Sequence, residues 1–213
     1  MKVKNLFFQH QKNAPFFFHD MSFQLEEGKM HALHGKNGIG KTILLNLLSG
    51  KKVFPQAIVK GEITGCEKSV LVNQRFDQMI SDQFSFEENL KFACMSRFPN
   101  PFSRLKQPNF NPQFLEKFHI DRTLPAHKLS GGQRQILALL MVLQRPIKLL
   151  LLDEPTATLD EQNAKIVFEF LHTLVQQGMT LLVVCHQREL IDQYRDGQDF
   201  HLEVDPSGIR RLG

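Results

Sequence analysis

An eight-residue glycine loop joins an apolar run to a leucine-rich one near the start of this chain. Gly35-Lys36-Asn37-Gly38-Ile39-Gly40-Lys41-Thr42 follows Met30 to His34 and runs into Thr42 to Leu48. A short buried strand, a glycine turn and a buried helix in that order point to an α/β sheet. Gly35, Gly38 and Gly40 allow successive N–H groups to turn toward one anion, and the helix start adds partial positive charge. The spacing is Gly-x-x-x-x-Gly-Lys-Thr, a phosphate-binding loop. It sets Lys41 to reach the β- and γ-phosphates of a nucleotide and the Thr42 hydroxyl to ligate magnesium. A chance match in a chain this long has odds of roughly one per cent or less.

A second glycine motif lies about ninety residues on. Leu129-Ser130-Gly131-Gly132-Gln133 has the form of another anion-binding turn opening a helix. One helix later, Leu149-Leu150-Leu151-Leu152-Asp153-Glu154 reads as a buried strand ending in two acids at the sheet edge where α/β ligands bind. Asp153 is placed to hold magnesium, and Glu154 to polarise an attacking water as general base. In isolation the acid pair would also fit an exposed turn, but beside a phosphate loop that reading loses most of its weight.

The remaining pattern predicts strands over Val3 to Phe8, Phe16 to Leu25 and Ser69 to Val72. From Gly131 onward a regular alternation follows: helix to Gln144, strand Lys148 to Leu152, helix Glu161 to Gln177, strand Thr180 to Cys185, helix Arg188 to Tyr194. Phe200 to Val204 and Ile209 to Leu212 then close as a hairpin around Pro206-Ser207-Gly208. Continuous apolar strands between helices imply a sheet covered on both faces. The segment from Arg75 to Lys128 differs: it holds nine of the 19 phenylalanines and five of the 10 prolines, with helical spacing at Glu87 to Arg97 and Pro112 to Phe118. It reads as a helical insertion whose phenylalanines form local core, an exposed subset being able to dock a partner.

Composition excludes several classes. With 213 residues, 42% of them hydrophobic, the chain is expected to fold as one domain. A net charge of +4, spread rather than blocked, argues only weakly for nucleic acid or anionic lipid and fits a solvated basic surface better, so no nucleic acid is expected. The three cysteines form no Cys-x-x-Cys pair, which disfavours structural zinc and a disulfide framework. No secretory signal or span of ~20 apolar residues is visible, so the chain is expected to be soluble unless a partner carries it to a membrane.

These elements, in this order and over nearly the whole chain, resemble the ATP-binding-cassette (ABC) ATPases. The resemblance implies a P-loop NTPase core with a mostly parallel sheet, an N-terminal antiparallel β part and a helical subdomain over about residues 76–145 of a single domain 1–213. It implies ATP and Mg2+ as ligands, with residues 35–42 (Gly35, Lys36, Asn37, Gly38, Ile39, Gly40, Lys41, Thr42) on the chain's own nucleotide. Ser130, Gly131, Gly132 and Gln133 match the family signature, which contacts ATP held by an opposing subunit. Gln74 matches the glutamine linking metal and water to the helical insertion, and so joins Thr42 and Asp153 at the metal. Asp160, in Thr156-Ala157-Thr158-Leu159-Asp160, matches the D-loop of the dimer interface, and His186 the switch histidine at the γ-phosphate. Lys41, Gln74, Glu154 and His186 are thus the expected catalytic set. Phe84 to Leu90 resembles the segment opening the helical subdomain.

There are departures from the family pattern. His10 stands where an adenine-stacking aromatic, often tyrosine, is usual, with Phe8 or a neighbour as substitutes. Lys36 replaces a frequent proline. Gln135-Ile136 and Leu140-Met141 lack arginines common in the signature helix. The implied function is the ATP-hydrolysing subunit of an ABC transporter, working as a homo- or heterodimer on the cytoplasmic face of a membrane beside a separate permease. The rival is an ABC ATPase switch acting on nucleic acid or a protein assembly; a module that binds ATP without turnover is disfavoured by the intact site.

Overall fold

A computed structural model describes residues 1–50, 55–73, 76–95, 107–108, 112–204 and 210–212. Two compact units emerge. The first comprises Met1–Gln74, Ile147–Ala157 and His172–Gly213; the second comprises Arg75–Pro146 and Thr158–Leu171.

Among the described residues the first unit carries nine strands: β1 (Lys2–Gln9), β2 (Phe18–Gln24), β3 (Met30–His34), β4 (Ile58–Thr64), β5 (Ser69–Val72), β6 (Leu149–Asp153), β7 (Thr180–Val184), β8 (Asp199–Val204) and β9 (Arg210–Leu212). They form one sheet in the order β4-β1-β2-β9-β8-β3-β7-β6-β5. From β8 to β5 every pairing is parallel. β3, β6 and β7 are buried along their whole length, which is why they are rich in apolar residues, with His31, His34, Asp153 and Thr180 as the buried polar exceptions. β1 pairs antiparallel with β2 and β4, and β8 antiparallel with β9. Residues 205–209, where the hairpin turn was expected, lie outside the described residues. Helix α1 (Lys41–Leu48) follows β3 through the glycine loop and buries Leu44, Leu45 and Leu48. Gly50, with φ +69, stands just past its end.

The edge strand β4 has no counterpart in the sequence reading. Its Lys60-Gly61-Glu62 centre is exposed, so it lacks the apolar alternation that marks a strand. It is held by non-local geometry: a Cβ on Gly61 would collide with the Asn5 carbonyl oxygen, where β1 bulges with Asn5 at φ 46.

His31 on β3 is fully buried between two backbone partners. Its Nε2 lies 3.0 Å from the Glu26 carbonyl, and its Nδ1 accepts the Gln198 N–H at 2.9 Å. That pairing requires the neutral ring, with the proton on Nε2. Burial holds its pKa below the ordinary 6.5, opposed by the Glu26 carbonyl. The unfolded chain therefore takes up the proton first as pH falls. The stabilisation is complete above about 6.5 and is lost as pH drops toward the lower folded-state value. Urea midpoints are expected to fall between pH 7 and 5, with a shallower fall in His31→Gln; equal slopes would show that another group controls the acid limb.

The second unit contains α2 (Phe86–Ala93), α3 (Pro112–Lys117), α4 (Gly131–Val142) and the first eleven residues of α5 (Glu161–Gln176), whose last five belong to the first unit with α6 (Arg188–Tyr194). α2 opens on a capping box between Ser85 and Glu88. Phe86 is fully buried, and Phe118 meets Phe170 edge-on at 5.9 Å. Phe84 and Phe92 stay exposed, at 41% and 57%. The insertion's phenylalanines thus divide between local core and surface. Arg134 on α4 binds Asp82 at 2.7 Å and the Ala126 carbonyl at 3.0 Å.

Candidate nucleotide site

The glycine loop sits at the C-terminal end of β3, and its conformation is dictated by close backbone approaches. Gly40 has φ 113 and ψ 15, and a Cβ there would lie 2.5 Å from the Phe17 ring. Gly35 has φ 149, and a Cβ there would meet the Leu202 carbonyl at 2.8 Å. Helix α1 starts with no side-chain cap and no acid in its first turn. Its leading amides are thus offered to an anion, whereas α2 and α4 are closed by capping boxes. Lys41 is 92% buried by its surroundings (8% exposed) and folds back over the loop. Its Nζ donates to the Gly35 carbonyl at 2.7 Å and the Lys36 carbonyl at 3.1 Å. Lys36, Asn37 and Gly38 face solvent, and Ile39 is buried.

The end of β6 meets this loop. Thr42 Oγ1 donates to Asp153 Oδ2 at 2.7 Å. Burial pushes the Asp153 carboxyl above the ordinary range, with the Thr42 hydrogen bond opposing and the Glu154 charge adding to the rise. Hydroxyl and carboxylate are hard oxygen donors suited to Mg2+, which takes its remaining ligands from phosphates and water. Among the described residues no cluster of three or more His, Cys, Asp or Glu could hold a metal alone. Thr42 and Asp153 are of the donor type that suits Mg2+.

Glu154 is held in the left-handed region at φ 53, and its N–H donates to the Val184 carbonyl at 2.9 Å. Such a conformation in a non-glycine residue costs about 1–3 kcal/mol and concentrates at functional positions. The turn brings Glu154 Oε1 within 2.7 Å of His186 Nε2, although the two lie 32 positions apart in sequence. A cavity of about 650 Å³ opens beside the loop, lined by His34, Gly35, Lys41, His186, Arg188 and His201 among others.

His10 is exposed beside the loop, its ring edge-on to Phe8 and to Phe17 at 4.9 Å each. Phe8, the alternative base-stacking residue, is fully buried and turned into the core, so it cannot face a base. Phe17 is half-buried and carries the Arg210 guanidinium 3.7 Å from its ring centre. The run Phe16-Phe17-Phe18 held the signal: Phe18 opens β2 and is buried, while Phe17, in the bend just before it, lies against Gly40. Also unforeseen was His34, buried before Gly35 and 2.7 Å from Asp199 Oδ1. Burial lowers its pKa, opposed by Asp199.

Ser130, Gly131, Gly132, Gln133 and Asp160 belong to the second unit. Ser130 and Gln133 cap each other at the start of α4, while Asp160 Oδ1 accepts the Asn163 N–H at 2.8 Å at the start of α5. Gln74 lies outside the described residues.

The ABC transporter family model matches residues 18–157. The chain belongs to the ABC transporter family. It is 33% identical to the molybdate import ATP-binding protein MolC of Haemophilus influenzae, over 88% of this chain and 73% of that protein. Several other curated ABC relatives are much longer, and the chain spans 36–37% of their length. Among solved structures, cbiO1 of Clostridium perfringens, part of the ABC transporter complex cbiONQ, superposes with TM-score 0.74 at 20% identity, covering 100% of this chain and 86% of that one. A dimeric ATP-binding cassette bound to ADP and Pi in a post-hydrolysis state gives TM-score 0.63 at 19% identity, covering 95% and 94%. These two likenesses establish the ABC ATPase fold, including the mostly parallel sheet.

Proposed function

We propose that this ABC protein binds and hydrolyses ATP as the energising subunit of a transporter. The observation that carries the reading is one first-unit constellation: an uncapped α1, the Thr42–Asp153 hydrogen bond and the Glu154–His186 pair at 2.7 Å. The phosphates take the amides of residues 35–42, and Lys41 exchanges the Gly35 and Lys36 carbonyls for the β- and γ-oxygens, a stronger charge-assisted pairing. Thr42 and Asp153, with Gln74, would hold Mg2+, which supplies neutralisation of phosphate charge. Glu154 accepts the proton of the attacking water, and His186 holds the Glu154 carboxylate in place and touches the γ-phosphate. His10 and Phe17 form the wall against which the base lies.

The second-unit residues Ser130, Gly131, Gly132 and Gln133 serve ATP on an opposing subunit, with Asp160 at the interface, so the working unit is a homo- or heterodimer. Residues 76–145 act as the helical subdomain of a single nucleotide-binding domain 1–213. No helix among the described residues is long and apolar enough to cross a membrane. In this reading the transport path belongs to a separate permease, and this subunit is peripheral on its cytoplasmic side. The exposed Phe84 and Phe92 rings, 6.4 Å apart, offer that permease an apolar contact.

Steady-state phosphate release tests the reading. Turnover per subunit is expected to rise with protein concentration, because each site needs two chains, and to vanish on chelating Mg2+. Turnover per subunit independent of concentration would remove the dimer, and no turnover would remove the enzyme.

A further inference from the structure

The starts of α1 and α4 treat their orphan amides in opposite ways. α1 leaves them uncapped, but α4 is closed. Ser130 Oγ accepts the Gln133 N–H at 3.2 Å, and Gln133 Oε1 accepts the Ser130 N–H at 3.0 Å. Between them, the Gly132 N–H donates to Asn163 Oδ1 at 3.1 Å. The Asn163 amide is oriented in turn by Asp160: its Nδ2 donates to Asp160 Oδ2 at 2.8 Å, and its backbone N–H to Asp160 Oδ1 at 2.8 Å. Once the carboxylate has taken Nδ2, Oδ1 must face the other way, toward Gly132. The fit is close: a Cβ on Gly132 would lie 2.9 Å from Asn163 Oδ1 and 3.0 Å from the Asn163 carbonyl. Gly132 is buried while Ser130 is exposed.

We propose that Asn163 is a latch on the signature turn, its Oδ1 occupying the Gly132 N–H until ATP carried by a second subunit takes that donor. The inference rests on the two-subunit reading above, and Asn163 acts in it as a positioning residue, through Gly132 and Asp160. A phosphate oxygen accepts more strongly than a neutral amide, so the exchange runs toward the dimer when ATP is present and back when the phosphate leaves. Asp160, on engaging the interface, releases Nδ2 and lets the amide turn away from Gly132. Phosphate arrival and Asp160 engagement therefore favour one another through a single side chain.

The test is a Mg·ATP titration of the Glu154→Gln protein, with dimer followed by gel filtration and light scattering. Asn163→Ala and Asn163→Leu both lack the acceptor. Each is expected to lower the ATP concentration for half-dimer about three- to tenfold, the size of one net hydrogen bond. Asn163→Asp keeps an acceptor but sets a second carboxylate beside Asp160 and the incoming phosphate, and is expected to raise it. Binding of a fluorescent ATP analogue to dilute monomer should be the same in all three. General damage to the fold would raise the midpoint in every variant, so the opposite signs separate latch from scaffold. Anything other than a fall in both Ala and Leu variants overturns the latch. If Glu154→Gln alone forms no dimer with ATP, the two-subunit reading fails and the latch falls with it; if it dimerises and the Asn163 variants do not shift it, the latch alone falls.

Discussion

Glu154→Gln is expected to cut ATP turnover by about 10²–10⁴-fold, the range of a lost general base, while nucleotide affinity holds. Glutamine keeps the length of the side chain and a hydrogen-bonding oxygen for His186, 2.7 Å away. It cannot accept the proton of water. The backbone strain is unchanged, since both residues sit at the same φ of 53, so thermal stability should move little. With binding intact and hydrolysis blocked, ATP should hold the protein as a dimer on gel filtration. Turnover at the parental rate would assign the base to another group.

The second large effect is expected at Gly40. Alanine there must adopt φ 113, a conformation outside the ordinary range of L-residues, and its Cβ would enter the Phe17 ring, 2.5 Å away. The backbone term alone costs about 1–3 kcal/mol. Phe17 cannot yield freely, because its ring carries the Arg210 guanidinium at 3.7 Å and packs against His10 and Phe18. The loop must shift, and its amides then miss the phosphates. ATP affinity is expected to drop about 100-fold, with a lowered melting temperature; calorimetric titration and thermal melts check both. An affinity within about threefold of the parent (~0.7 kcal/mol) would show that the loop tolerates the change.

The two predictions differ in how visible their residues were beforehand. Gly40 and Lys41 announce themselves because the phosphate loop is a local structure: backbone conformation, spacing and helix start are written in eight consecutive residues. β6 and its two acids are equally local, since a strand buried on both faces must be apolar throughout. The order of motifs assigned Glu154 and His186 their separate roles, but not their pairing at 2.7 Å. Its geometry depends on β6 and β7 lying side by side, with Asp153 opposite Val184.

What stayed hidden depends on partners far along the chain. β4 is an exposed edge strand that its own residues do not declare, and it exists because β1 offers it a bulged backbone. His34 and Asp199 lie 165 positions apart, joined by the parallel register of β3 with β8. Phe17 and Arg210 meet because β9 pairs with β2. Asn163 looks like any polar residue in the first turn of a helix until Gly132 is seen against it.

The amino-acid sequence by itself determined the phosphate loop, the buried parallel strands and the family, because each follows from the short-range chemistry of glycine freedom, helix starts and apolar runs. Only the tertiary structure decided which aromatic packs against the glycine loop, which strand forms the sheet's edge and which side chain covers the Gly132 amide. Those are contacts between distant segments, set by strand register and packing, and no local pattern encodes them.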